Sequence, residues 1–362
     1  MRLLLFAPYF WPHRGGMEKY AEETCARLVE KGCQVDVVTA LLPNTKEKEQ
    51  YRGMNIFRVP TWNILGGTFP IPKFSVWKRL AELKRNNYDA IITHTRFFPL
   101  SFVGALFAKK NKIPHLHIEH GTAHTGSKPF VFSINWFYDH TIGTLILRWA
   151  SAVAGISQAS CKFANHLCRS KTILLPNAID TSFFHHQNIK NPFKTKVITF
   201  VGRLIEAKGV QDLLAATREM DVKVVIIGSG NYERKLKALA ASNIVFLWEK
   251  DAAGIREVLS YTDIFVNPSY AEGLPTSVLE AGAMGLPVIA TDVGGTGEII
   301  DNGVNGFLIR PHDVVELRKK IVQLLDNSVQ AKKFGIELQK KVCQEFDWKT
   351  TVQKLEKLLN KM

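Results

Sequence analysis

Short apolar runs of strand length alternate with helix-length segments along the whole chain. Residues 3–7 form one such run, and 17–31 follow with apolar positions at helical spacing up to Gly32. Residues 35–39, 89–93, 115–120, 152–155 and 172–175 read as further strands, and 76–85, 100–110, 135–149 and 158–168 as helices. Apolar strands each followed by a helix predict a parallel sheet covered on both faces. Residues 181–196 break the alternation with the polar run from His185 to Asn188 and the pair Asn191-Pro192, and read as an interdomain linker. The pattern then restarts, with strands at 197–201, 222–227, 244–247, 264–267 and 288–290. Helices are expected at 209–216, 232–240, 255–261, 277–284 and 314–325, and a last amphipathic helix at 348–359. The expected architecture is two doubly wound α/β halves, 1–180 and 197–345. Ligands of such sheets bind at the carboxyl ends of the strands, so the cleft between the halves is the default site.

Composition narrows the class. The 362 residues are 46% hydrophobic and 22% charged, which excludes a disordered chain, a collagen-like chain and a small disulfide scaffold. The net charge of +14 is uneven: residues 1–190 carry 24 basic and 12 acidic side chains, and residues 191–362 carry 23 and 21. The first half therefore suits an anionic partner (a membrane surface, a charged substrate or a nucleic acid), or is basic for solubility alone. Five cysteines, odd in number and without a C-x-x-C pair, predict buried free thiols in a reducing compartment. The first apolar run ends at Pro8, too short for a signal-peptide core. No stretch reaches the ~18–20 uncharged apolar residues of a membrane span. A cytoplasmic protein is expected, soluble or peripheral on the inner face of the membrane.

Five motifs carry candidate chemistry. Between a strand ending at Asn267 and a helix opening near Thr276 or Ser277 lies a polar loop with Glu272, Gly273, Leu274 and Pro275. Thr276 or Ser277 is placed to cap that helix, with Glu280 in its first turn. The helix start suits a diphosphate, and the two carboxylates suit a polyol; a plain capping box with a solvated loop acid is the alternative. After the strand at 197–201 come Gly202, Arg203 and Lys208, two cations that could hold a diphosphate or simply be solvated. His13-Arg14-Gly15-Gly16-Met17-Glu18 follows the first strand and offers bare backbone N–H groups, or an ordinary turn; it is not G-x-G-x-x-G. His117-Ile118-Glu119-His120-Gly121-Thr122-Ala123-His124 places His120 and His124 at the cleft, with His117 a core histidine; the helical spacing of a zinc pair is absent. Gly228-Ser229-Gly230 is a further glycine turn on the same side.

Together these residues resemble the retaining glycosyltransferases of the family-4 type, which have the GT-B fold of two Rossmann-like domains. The match is densest from Glu272 to Glu280, the family's E-x7-E motif, and extends to Gly285-Leu286-Pro287-Val288-Ile289-Ala290-Thr291. It includes Gly202-Arg203 with Lys208, Gly15-Gly16, Pro176-Asn177-Ala178-Ile179-Asp180 and Phe346-Asp347-Trp348. The resemblance implies that Glu280 binds the ribose of a nucleotide-sugar and that Glu272 and His120 act near the donor sugar and reaction centre. It implies that Arg203 and Lys208 hold the diphosphate, with Gly15, Gly16, Gly228 and the backbone of Leu274, Pro275, Thr276, Ser277 and Val278. Transfer of a hexose or N-acetylhexosamine from UDP or GDP with retention is implied, without a metal cofactor. Residues 346–362 would cross back to the first domain. Trp248-Glu249-Lys250 stands where the family often has glycine, beside the expected base position.

In this family the first half takes the acceptor. Aromatics there adjoin cations: Trp62, Phe69, Lys73, Trp77, Lys78 and Arg79, then Phe97, Phe98, Lys109, Lys110 and Lys112, then Phe130, Phe132, Trp136 and Phe137. A glycan or lipid-linked acceptor at an anionic membrane surface is expected, in cell-surface glycolipid or polysaccharide synthesis. The alternative is that many of these aromatics are core and the lysines merely solvated. Rival readings are a nucleotide-sugar epimerase of the same architecture and a silent nucleotide-sugar binder. A nucleic-acid partner is not expected, since no recognition signature accompanies the charge.

Overall fold

The computed structural model describes residues 1–13, 15–64, 69–124, 129–168 and 171–362, without the side chains of 63, 64 and 129–131. Arg14 and the Phe130 side chain thus lie outside the described residues. Contacts divide the chain into two compact units, Met1–Asn177 with Trp348–Met362, and Ala178–Asp347. Each is a Rossmann-like parallel sheet covered by helices, as the alternation predicts.

In the first unit the strands are β1 (Arg2–Phe6), β2 (Gln34–Ala40), β3 (Lys48–Tyr51), β4 (Met54–Val59), a separate hairpin of β5 (Thr61–Ile64) and β6 (Phe69–Pro72), then β7 (Ala90–His94), β8 (His115–Glu119), β9 (Ala152–Gly155) and β10 (Thr172–Leu174). The sheet order is β10-β9-β8-β7-β1-β2-β4-β3, parallel except for β3. Leu3, Leu4, Leu5 and Phe6 are all buried, because helices cover both faces of a central parallel strand. Strand order reverses beside β1, so the loops after β1 and β7 flank the position where such sheets bind ligands. The helices are α1 (Gly16–Glu30), α2 (Ser75–Leu83), α3 (Pro99–Asn111), α4 (Pro129–Tyr138), α5 (Thr144–Trp149) and α6 (Gln158–Cys168). The single helix expected at 135–149 is instead split by a π turn, Asp139–Gly143.

The second unit has β11 (Lys196–Val201), β12 (Val222–Ile227), β13 (Ile244–Leu247), β14 (Ile264–Asn267), β15 (Val288–Thr291) and β16 (Phe307–Ile309), in the order β13-β12-β11-β14-β15-β16, all parallel. Its helices are α7 (Val210–Ala216), α8 (Glu233–Leu239), α9 (Ala252–Ser260), α10 (Thr276–Ala283), α11 (Thr296–Ile299), α12 (Val314–Asp326) and α13 (Ser328–Glu345). The switch point falls between β11 and β14. Residues 181–196, expected as a linker, count with this unit: the Phe183 carbonyl accepts from Arg256 (3.0 Å) and Gln187 N–H donates to Ser260 (3.1 Å), both on α9.

The last helix, α14 (Trp348–Leu359), belongs to the first unit. Trp348 packs edge-on against Tyr20 at 5.5 Å, Thr351 donates to the Pro176 carbonyl at 3.0 Å, and Lys31 pairs with Glu356 at 2.7 Å. All five cysteines are free; Cys25, Cys161 and Cys168 are buried, Cys33 is partly buried, and Cys343, against expectation, is exposed. No described helix is long and apolar enough to cross a membrane.

Candidate active site

At the switch point of the second unit, the loops after β11 and β14 are tied together. Tyr270 N–H donates to the Ala207 carbonyl at 2.8 Å. Gly209, at φ +64°, lies where a Cβ would overlap the Pro268 carbonyl oxygen, so only glycine lets the loops close to this distance. The result is an ion pair: Lys208 Nζ stands 2.7 Å from Glu272 Oε1, with side-chain exposures of 19% and 8%. Asn267 Nδ2, from the end of β14, donates to the same oxygen at 3.3 Å. Arg203 is exposed and its guanidinium has no partner among the described residues. Gly228 runs against the Gly202 carbonyl with no room for a Cβ.

The start of α10 differs from the expectation. Its N-cap is Pro275 and no side chain caps it; Thr276 and Ser277 are already inside the helix, and Glu280 is its fifth residue, buried at 4% exposure. The capping-box reading is therefore corrected. The Pro275 carbonyl accepts from Val278 N–H at 3.2 Å and Leu279 N–H at 3.3 Å. The N–H groups of Thr276 and Ser277 have no acceptor among the described residues. Uncapped N–H groups and the positive end of the helix dipole are features that suit an anion. Leu274 is buried beside it.

In the first unit, His120 follows β8 and His94 ends β7. His94 Nδ1 and His120 Nε2 are 2.9 Å apart, and the Tyr20 ring stands edge-on to both. Burial lowers the His120 pKa to about 4, against the raising effect of Glu119, and burial with the neighbouring imidazoles takes His94 well below its ordinary value. Both rings are therefore neutral at pH 7, each with one N–H, and one of these protons lies in the hydrogen bond between them. Glu119 fixes the loop: its Oε1 accepts from the backbone N–H of His120 (3.0 Å) and Gly121 (2.7 Å) and pairs with Arg96 at 3.0 Å. Burial works to raise the Glu119 pKa, but Arg96 and His117 override it and hold the carboxyl below the usual range. Arg96 also pairs with Asp139 at 2.9 Å. His117 is wholly buried and bonded to Thr93, a core histidine as expected. Gly15 is the uncapped start of α1, followed by Gly16, but the Glu18 carboxylate folds back onto Gly15 and meets His13 at 3.2 Å. The sequence reading passed over Tyr20, His94, Arg96 and Asp139. Tyr20, the neighbours His94 and Arg96, and Asp139 come from separate stretches of the chain and meet through β7, β8 and the π turn.

Comparison with known proteins adds the lineage. Residues 14–183 match the family model Glycosyltransferase Family 4, and residues 182–341 match Glycosyl transferases group 1. The chain is 28% identical to a glycosyltransferase of Methanocaldococcus jannaschii, covering 100% of this chain and 99% of that protein. It is 25% identical to the Escherichia coli UDP-Gal:alpha-D-GlcNAc-diphosphoundecaprenol alpha-1,3-galactosyltransferase, covering 68% of this chain and 69% of that one. Among solved structures, the sucrose-phosphate synthase of Thermosynechococcus elongatus superposes with a TM-score of 0.82 at 19% identity, over 99% and 98% of the two chains. Anabaena HepE in complex with UDP gives 0.80 at 20% identity over 100% of both.

Proposed function

Because the chain belongs to the family-4 glycosyltransferases and has the GT-B fold, we propose that it transfers a hexose-type sugar from a nucleoside-diphosphate sugar to an acceptor hydroxyl with retention. The observation that supports this most is Lys208 against Glu272 beside the uncapped start of α10. Departure of the leaving group builds negative charge on the diphosphate. Lys208, Arg203 and the N–H groups of Thr276 and Ser277 stabilise that charge without a metal. Glu280 takes the ribose. Glu272, or the diphosphate itself, stabilises the positive anomeric carbon. His120, kept neutral, orients a sugar hydroxyl. HepE is solved with UDP-glucose, which favours UDP as the first donor to try.

The acceptor is a glycan or a lipid-linked glycan, taken at an anionic membrane surface. Support comes from α4, which exposes Phe132, Ile134, Trp136 and Phe137, on the strongly basic half of the chain. Phe97 and Phe98 pack with Phe69 instead. Trp136→Ser with Phe137→Ser should lower binding to anionic vesicles; unchanged binding refutes the membrane reading.

The donor site is tested by thermal stabilisation with UDP, GDP and ADP in the absence of metal. One nucleotide should stabilise the protein and lose its effect in Lys208→Ala. Stabilisation that survives the substitution, or none with any nucleotide, refutes the assignment.

A further inference from the structure

Three histidines outside the donor chemistry come together on the first unit: His124 after β8, His140 in the π turn between α4 and α5, and His166 on α6. One ring nitrogen of each lies within 4.8 Å of those of the other two. We propose that this is a binding site for a divalent transition metal of the zinc class, with three imidazole ligands and water in the fourth position.

Two of the rings are already oriented for this. His140 Nδ1 lies 2.8 Å from the Trp136 carbonyl, which can only accept, so Nδ1 carries the proton and Nε2 is left as the free donor of a lone pair. Trp136 also stacks on this ring at 4.1 Å. His124 Nδ1 lies 2.7 Å from Asp139 Oδ2, and Asp139 is in turn held by Arg96. A carboxylate behind an imidazole fixes its tautomer and raises its basicity, the outer shell that metal-bound histidines ordinarily have. His166 is exposed and its ring has no hydrogen bond among the described residues, free to swing inward. Tetrahedral zinc at Zn–N of about 2.0–2.1 Å needs nitrogens about 3.3 Å apart, so modest rotations close the set. An all-imidazole set suits zinc, nickel or copper and disfavours magnesium and calcium.

The site lies apart from Lys208 and Glu272 in chemistry and in fold unit. Its consequence is mechanical. His124 leads through Asp139 and Arg96 to Glu119, the carboxylate that holds the backbone of His120 and Gly121. A metal here clamps the loop that carries His120 to α6 and to the end of α4.

The test is titration of untagged, full-length, chelator-stripped protein with zinc by calorimetry, and with cobalt by visible absorption. Expected are one equivalent of zinc, a raised melting temperature, and a cobalt spectrum without a thiolate band. His166→Ala should weaken binding at least about tenfold, and His140→Ala with His166→Ala should abolish it. Cys343→Ser and Lys208→Ala should leave it unchanged. The metal-free melting temperature of each variant separates lost ligation from lost fold. Absence of stoichiometric binding, or binding that persists in the double variant or disappears in Cys343→Ser, overturns the proposal.

Discussion

Lys208 is held by Glu272. The pair is a charged hydrogen bond of 2.7 Å between mostly buried groups, worth about 1.5–3 kcal/mol in coupling, which is roughly ten- to hundredfold in the unfolding equilibrium. A double-mutant cycle with Lys208→Met and Glu272→Gln, read by urea unfolding at pH 7, isolates this term. Added salt should change it little, since Glu272 is 8% exposed. On the proposed donor assignment, a nucleoside diphosphate would have to draw Lys208 away from its partner and settle beside a carboxylate. Glu272→Gln therefore raises the affinity for the bare nucleotide, by up to about tenfold if half of the coupling is recovered, while turnover falls. Calorimetric titration with the preferred nucleoside diphosphate gives the answer. A coupling below about 0.5 kcal/mol, or weaker nucleotide binding in Glu272→Gln, refutes this reasoning.

Gly209→Ala places a Cβ on the Pro268 carbonyl at a positive φ, so it should cost at least about 1–3 kcal/mol and lower nucleotide-induced stabilisation; an unchanged melting temperature contradicts this. Arg96→Met removes the cation shared by Glu119 and Asp139, which are 0% and 1% exposed; urea unfolding should show a loss of about 3–5 kcal/mol, and a loss under about 1 kcal/mol would sink the idea. Acid should destabilise the protein in a defined window. Above about pH 6.5 His120 is neutral in both states. As the pH falls from there to about 4, the unfolded chain takes up a proton that buried His120 refuses. Each unit of that interval costs about 1.4 kcal/mol. Urea midpoints measured from pH 7 to pH 4 should fall, and less steeply in His120→Asn; parallel slopes count against the buried neutral imidazole.

The parallel cores were legible because their strands are apolar throughout and of standard length. The missed elements lack that signal. β3 is a charged sheet edge, Lys48-Glu49-Gln50-Tyr51, and β4 carries buried Arg58, whose charge is met by Glu49 and by the Trp11 and Lys46 carbonyls. The turn Arg52-Gly53 between them, at φ 49° and 77°, was the available hairpin clue. α13 buries only a narrow stripe, Phe334, Gly335, Leu338 and Val342, and its best sign is the capping Asn327. β16 has three residues, too few for a period. In the site, loops adjacent in sequence were readable, whereas the His94–His120 pair and the Arg96–Glu119–Asp139 network depend on β7, β8 and a π turn meeting across the fold. The Thr276 and Ser277 caps were misread because Pro275 can supply the N-cap with its backbone alone.

The placement of α14 has a consequence for synthesis. The first unit is discontinuous in sequence: Lys31 pairs with a residue 325 positions later, and Trp348, Val352, Leu355 and Leu359 are buried. A ribosome delivers residues 1–177 early but withholds this helix until the whole second unit has been made. The unit translated second is thus the one that can finish folding first, while the nascent first unit keeps an uncovered apolar floor around Tyr20. Growth of the chain and completion of its folding run in opposite order, and chaperone capture should concentrate on the first unit until α14 emerges.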